Sequence, residues 1–120
     1  MRSVSEVYMH VAGTNYWFLA MLGYQAPPGV NVTKDYKTAA ALEKITDKDK
    51  VVATVKESFK FLKDVLEKTP DSKLNESMDF FGRPSTIQAV LLMMTTHIPE
   101  HLGQAIAYAR VNSVVPPWSK

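Results

Sequence analysis

The sequence predicts an all-α fold of three long helices, with a short helix between the first and the second. Three observations carry this. Capping signals stand at Ser3, at Asp47 and at Ser85 or Thr86. Each is followed by apolar residues at three- and four-residue spacing. Between these stretches lie helix breakers, Gln25-Ala26-Pro27-Pro28-Gly29 and Thr69-Pro70-Asp71-Ser72. At 120 residues, with 46% apolar composition, the chain suits one small domain spanning residues 1–120.

The first helix is predicted over about 3–22. Ser3 and Glu6 have the Ser-x-x-Glu spacing of a capping box. Val4, Val7, Tyr8, Val11, Asn15, Phe18 and Leu22 form one stripe, but Met9, Ala12, Tyr16, Trp17, Leu19, Ala20 and Met21 make the other faces apolar too. A helix apolar nearly all round must be buried on most sides. Gly23 supplies its stop. Residues 24–46 form a connection without a recognisable chemical motif. Within it, Asp35 can cap a short helix around Ala39-Ala40-Ala41-Leu42. The second long helix, 47–68, is plainly amphipathic. Val52, Val55, Phe59, Leu62 and Leu66 form its stripe, and Lys60–Asp64 and Lys63–Glu67 are spaced as i,i+4 ion pairs. These mixed charges describe a solvated face. Met78–Pro84 can form an extended pair with a turn, its Phe80-Phe81 lidding the core. The last long helix runs over about 85–112, where Pro99 removes one backbone N–H and is expected to bend it. The tail, Val114-Val115-Pro116-Pro117-Trp118-Ser119-Lys120, is expected to be non-helical, with Trp118 folded back on the bundle.

Composition excludes several functions. With no cysteine, the chain has no disulfide, no thiolate ligand and no thiol nucleophile of its own. That suits a cytoplasmic protein. No run of 18 uncharged apolar residues exists to span a membrane, and the N-terminus does not read as a signal peptide. A net charge of +2, with lysines interleaved among acids, gives no phosphate-binding stripe, so neither nucleic acid nor membrane is expected as a partner.

The chemistry concentrates in the last helix. His97 and His101 are four apart, one above the other on a single helix face, and both fall in the apolar stripe Ile87, Val90, Leu91, Met94, Ile98, Ala105, Tyr108. Two imidazoles so placed can share one divalent cation, with bonds of roughly 2.0–2.1 Å for zinc. A single buried histidine ordinarily satisfies its hydrogen bonds without metal, and such pairs also arise by chance. An unpaired imidazole on an apolar face is costly, however, which favours a site. His10, the only other histidine, can supply a third ligand from the first helix. Gln104 shares the His97–His101 face. Glu6 and Thr14 lie one turn either side of His10. These three are candidates for orienting ligands or substrate. Glu100 lies about 100° off the histidine face, and no general base is identified.

With these residues placed, the chain resembles the DinB family of DinB/YfiT-like metalloenzymes. Arg2-Ser3-Val4-Ser5-Glu6-Val7-Tyr8-Met9-His10-Val11 is similar to the family's second helix with its histidine. His97-x-x-x-His101-Leu102-Gly103-Gln104 is similar to its last-helix signature. Tyr108-Ala109-Arg110 with Pro116-Pro117-Trp118-Ser119 is similar to the tail of some members. The resemblance implies a four-helix bundle holding a divalent metal, zinc or nickel, on His10, His97 and His101. It implies a thiol-dependent transferase or a hydrolase acting on a small molecule, with a low-molecular-weight thiol as the candidate cosubstrate. A non-enzymatic metal-binding or oligomeric assembly module is the alternative. The chain departs from the family in opening at the second helix, as though N-terminally truncated. The flank left bare on the first helix is expected to be covered in a two-fold homodimer, burying at least part of Trp17, Phe18 and Met21 against the partner. Alternatively, residues 35–45 fold back and cover it within one chain.

Overall fold

A computed structural model describes residues 1–115 and 117–119. The predicted helices are present, shifted by one or two residues at their ends: α1 over Val4–Met21, α3 over Lys48–Lys68 and α4 over Ile87–Val111. A short α2, Tyr36–Ala40, runs into a 3₁₀ turn, Ala41–Lys44. Side-chain caps set the starts. Ser3 and Glu6 form the full capping box, and Asp35 and Asp47 cap α2 and α3. Thr86, rather than Ser85, accepts from the Ala89 N–H at the start of α4. Each such cap contributes about 1 kcal/mol. Helix α1 stops where Gly23 takes φ +92°. Its N–H donates to the Ala20 carbonyl and that of Tyr24 to Leu19, which satisfies two end carbonyls at once. Helix α4 runs through Pro99 without interruption.

One departure from a purely helical chain is a hairpin of β1, Ser77–Phe80, and β2, Arg83–Thr86, antiparallel with Phe80 opposite Arg83. Its two-residue turn places Phe81 at φ 56° and Gly82 at φ 72°, the handedness that matches strand twist. The Asp79 carboxylate accepts from the Gly82 N–H at 3.1 Å. Phe80 is buried, whereas Phe81 stays 70% exposed over Trp17. Of the tail, Pro116 and Lys120 lie outside the described residues. Pro117–Ser119 form a 3₁₀ turn where an irregular tail was expected. Trp118 borders the same hollow as Tyr8 and Leu102, but folds back only loosely and is 67% exposed.

Helix α1 is the centre of the molecule. Thirteen of its residues are buried, and it packs on α2, the 3₁₀ turn, α3 and α4. Between α1 and α3, Asn15 donates to the Ser58 hydroxyl, both buried. At Gly13 any Cβ would stand 2.7 Å from the Ala39 carbonyl oxygen, so the α1–α2 approach requires glycine. The dimer expected to bury at least part of Trp17, Phe18 and Met21 is not needed for the first two, and Met21 stays half-buried. Trp17 and Phe18 are both 5% exposed in the single chain. Tyr36 and the hairpin phenylalanines surround the Trp17 ring, and its Nε1–H donates to the Lys34 carbonyl. The fold-back of residues 35–45 supplies the cover, because α2 lies against α1 as a substitute layer. The open apolar surface lies elsewhere. Helices α3 and α4 both pack on α1, while their backbones stay farther from each other and meet through side chains of the core. The groove between them is lined by Leu62, Leu66, Leu91 and Leu92 at one end and Val55, Phe59 and Leu102 at the other.

Candidate metal centre

The three histidines converge. His10 comes from α1, and His97 and His101 from α4. Ring centroids lie 4.7 Å apart for His10–His101, 5.3 Å for His10–His97 and 4.6 Å for His97–His101. One ring nitrogen from each lies within 4.8 Å of the others. The i,i+4 spacing alone brings His97 Nε2 to 3.1 Å from His101 Nε2. His10 and His101 are buried, and His97 is half-buried.

Two tautomers follow from the hydrogen bonds. His101 Nδ1 lies 3.0 Å from Gln104 Oε1. An amide oxygen only accepts, so Nδ1 carries a proton, and in the neutral ring the lone pair sits on Nε2. His10 Nδ1 lies 2.9 Å from Glu43 Oε1 and donates to it for the same reason, leaving Nε2 free. In their neutral form two of the imidazoles direct Nε2 lone pairs away from Gln104 and Glu43, and the third is partly exposed, a set that suits zinc, nickel and similar ions. Gln104 thus stands against a histidine, where the helix spacing puts it. Glu6 spends its carboxylate on the Ser3 N–H of the capping box. Thr14 donates to the His10 and Val11 carbonyls of its own helix, and so touches His10 through backbone alone. Glu100 is exposed. Sequence reasoning missed Glu43, which is 33 residues from His10 in a segment without a motif.

Burial lowers the His97 pKa to about 4, aided by the neighbouring rings of His101 and His10. Burial also lowers that of His10, against the opposing pull of Glu43. A histidine with its folded pKa below the unfolded value of about 6.5 takes its proton more readily when unfolded. Stability then rises with pH between the two values. Metal-free protein should hold its full stability above about pH 6.5 and lose part of it as pH falls toward 4. Solvent reaches the His97 ring, which limits the loss to roughly 1–2 kcal/mol. Thermal unfolding in chelator, from about pH 7 to about pH 5, should show Tm falling by several degrees. His97→Gln should flatten the slope, and an already flat wild-type profile would contradict the assignment.

A mostly helical chain built on one buried helix, with three histidines gathered from that helix and the last, defines a class of helical protein with a candidate metal centre. Residues 1–105 match the model of the DinB superfamily, and the chain belongs to that superfamily. No curated protein and no solved structure gives a match.

Proposed function

We propose that the protein is a divalent-metal-dependent enzyme acting on a small molecule, with His10, His97 and His101 as ligands and zinc or nickel as the metal. The observation that carries this is the convergence of the three ring nitrogens within 4.8 Å. When bound, the metal supplies Lewis acidity, which lowers the pKa of a coordinated thiol or water. The chain's own residues do the rest. Gln104 and Glu43 hold two imidazoles in the tautomer that binds. His97 is the half-buried member of the three, and in this reading substrate approaches on its side. Because the chain has no cysteine, a thiol in the reaction belongs to a low-molecular-weight cosubstrate. Thiol transfer and hydrolysis are the two reactions this arrangement serves. The homodimer and the cytoplasmic location stand as parts of the same proposal. The dimer's natural contact is now the α3–α4 groove, because α1 is covered. No helix among the described residues is long and apolar enough to cross a membrane.

A second reading, a non-enzymatic metal-binding or assembly module, is favoured by one observation. The acids and hydroxyl first considered for the site are engaged in helix caps and backbone contacts or face solvent. Elemental analysis of untagged protein, purified without added metal, should find one divalent ion per chain. Reloaded protein should then turn over a member of a thiol-and-electrophile panel, and chelated protein should not. Metal without turnover supports the second reading, and protein that takes up no metal removes both.

A further inference from the structure

We infer that Glu43, clamped by Arg2, is the positioning residue that aligns His10 with the two histidines of α4. The inference rests on the three-histidine reading of the site. His97 and His101 share one helix, so their relative placement is built in. His10 arrives from another helix, and rotation about its Cβ–Cγ bond is soft, so its ring needs an outside partner. Glu43 is that partner, with Oε1 at 2.9 Å from His10 Nδ1. Tyr36 Oη stands 3.4 Å from the same nitrogen.

Glu43 is itself held. Arg2 Nε lies 2.9 Å from its Oε2, and Arg2 Nη2 lies 3.2 Å from its Oε1. This fork fixes a carboxylate in orientation as well as position. Arg2 is anchored in turn, for its carbonyl accepts from Tyr108 Oη at 2.9 Å. Tyr108 lies on α4, the helix of His97 and His101. The contacts close a ring: α4 through Tyr108 to Arg2, to Glu43, to His10, and back to the α4 histidines. The same helix that carries two ligands thereby fixes the alignment of the third. Glu43 stands outside the group of ligand atoms that lie within 4.8 Å of one another, so it acts through His10. A carboxylate on Nδ1 also makes Nε2 a better electron donor.

The test is zinc affinity, measured by competition with a chromophoric chelator, in wild type, Glu43→Ala, Glu43→Gln and Arg2→Ala. Glu43→Ala should weaken binding roughly 10–100-fold. Glu43→Gln keeps an acceptor oxygen without the charge and should recover part of that loss. Arg2→Ala should fall between wild type and Glu43→Ala. The visible absorption of cobalt-loaded protein should change in Glu43→Ala and return toward wild type in Glu43→Gln, which a purely structural role for Glu43 does not predict. If Glu43→Ala fails to fold, the Gln and Arg2 variants decide. Variants that bind zinc within about threefold of wild type, against the loss that outer contacts normally carry, overturn the inference while the metal site stands. Wild-type protein that binds no zinc overturns both.

Discussion

Protein carrying His101→Ala should bind zinc roughly 100- to 1000-fold more weakly than wild type, because a ligand's share of a zinc site's binding free energy is several kcal/mol. The fold should survive. His101 is buried at the α1–α4 contact, but its two side-chain partners are accessible. Gln104 is exposed and His97 half-buried, so both regain water when the ring is removed. The structural cost is a small cavity rather than an orphaned buried group. Titration by competition, with far-UV circular dichroism in chelator as the control, separates the two effects. His10→Ala and His97→Ala should show losses of the same order. Glu100→Ala should show none, because its side chain is exposed. Retention of stoichiometric metal by the triple alanine variant would place the site elsewhere. Burial holds the His10 and His97 pKa values down. Proton competition for the wild-type site should therefore set in at lower pH than for imidazoles with the ordinary value of about 6.5.

How much of this was legible depends on the range over which each feature is encoded. The helices were legible because caps and stripes are local: Ser3 with Glu6, Asp35 and Asp47 sit within a turn of the residues they cap. The His97–His101 pair was legible because its spacing is its geometry. Glu6 shows the limit of local reading. Its one-turn offset from His10 fitted both a cap and a site, and the nearer partner, the Ser3 N–H, holds it. Glu43 was out of reach, because its contact with His10 depends on the fold-back of residues 35–45 and on nothing in its own neighbourhood. The cover of α1 was legible only as a choice between a partner chain and the fold-back of residues 35–45. An apolar face states that something must bury it, not which element does; within the chain the short helix, foreseen as one of the two covers, and the hairpin lie on it.

Trp17→Ala should destabilise the chain by about 3–5 kcal/mol, the range for removing a buried aromatic side chain. The indole joins elements far apart in sequence. Its ring centroid lies 5.1 Å from that of Phe18, 5.4 Å from Tyr36 on α2, and 6.2 and 5.4 Å from Phe80 and Phe81 on the hairpin. Its Nε1–H donates to the Lys34 carbonyl at 3.0 Å, so removal also leaves that carbonyl without this donor. A two-stranded hairpin is marginal alone, and this one is held to the core through these rings. Loosening should therefore begin at residues 77–86 and show as faster amide exchange there. Trp17→Phe keeps most of the ring contacts and loses the hydrogen bond, so its cost should be well under half that of alanine. Urea unfolding measures both. The decisive control is protein concentration. Burial by a second copy would make the cost concentration-dependent, whereas burial by α2 and the hairpin within one chain makes it constant across a hundredfold dilution, on the order of the range that separates the two. A loss below about 1 kcal/mol, or one that grows on dilution, would show that another surface covers this face of α1.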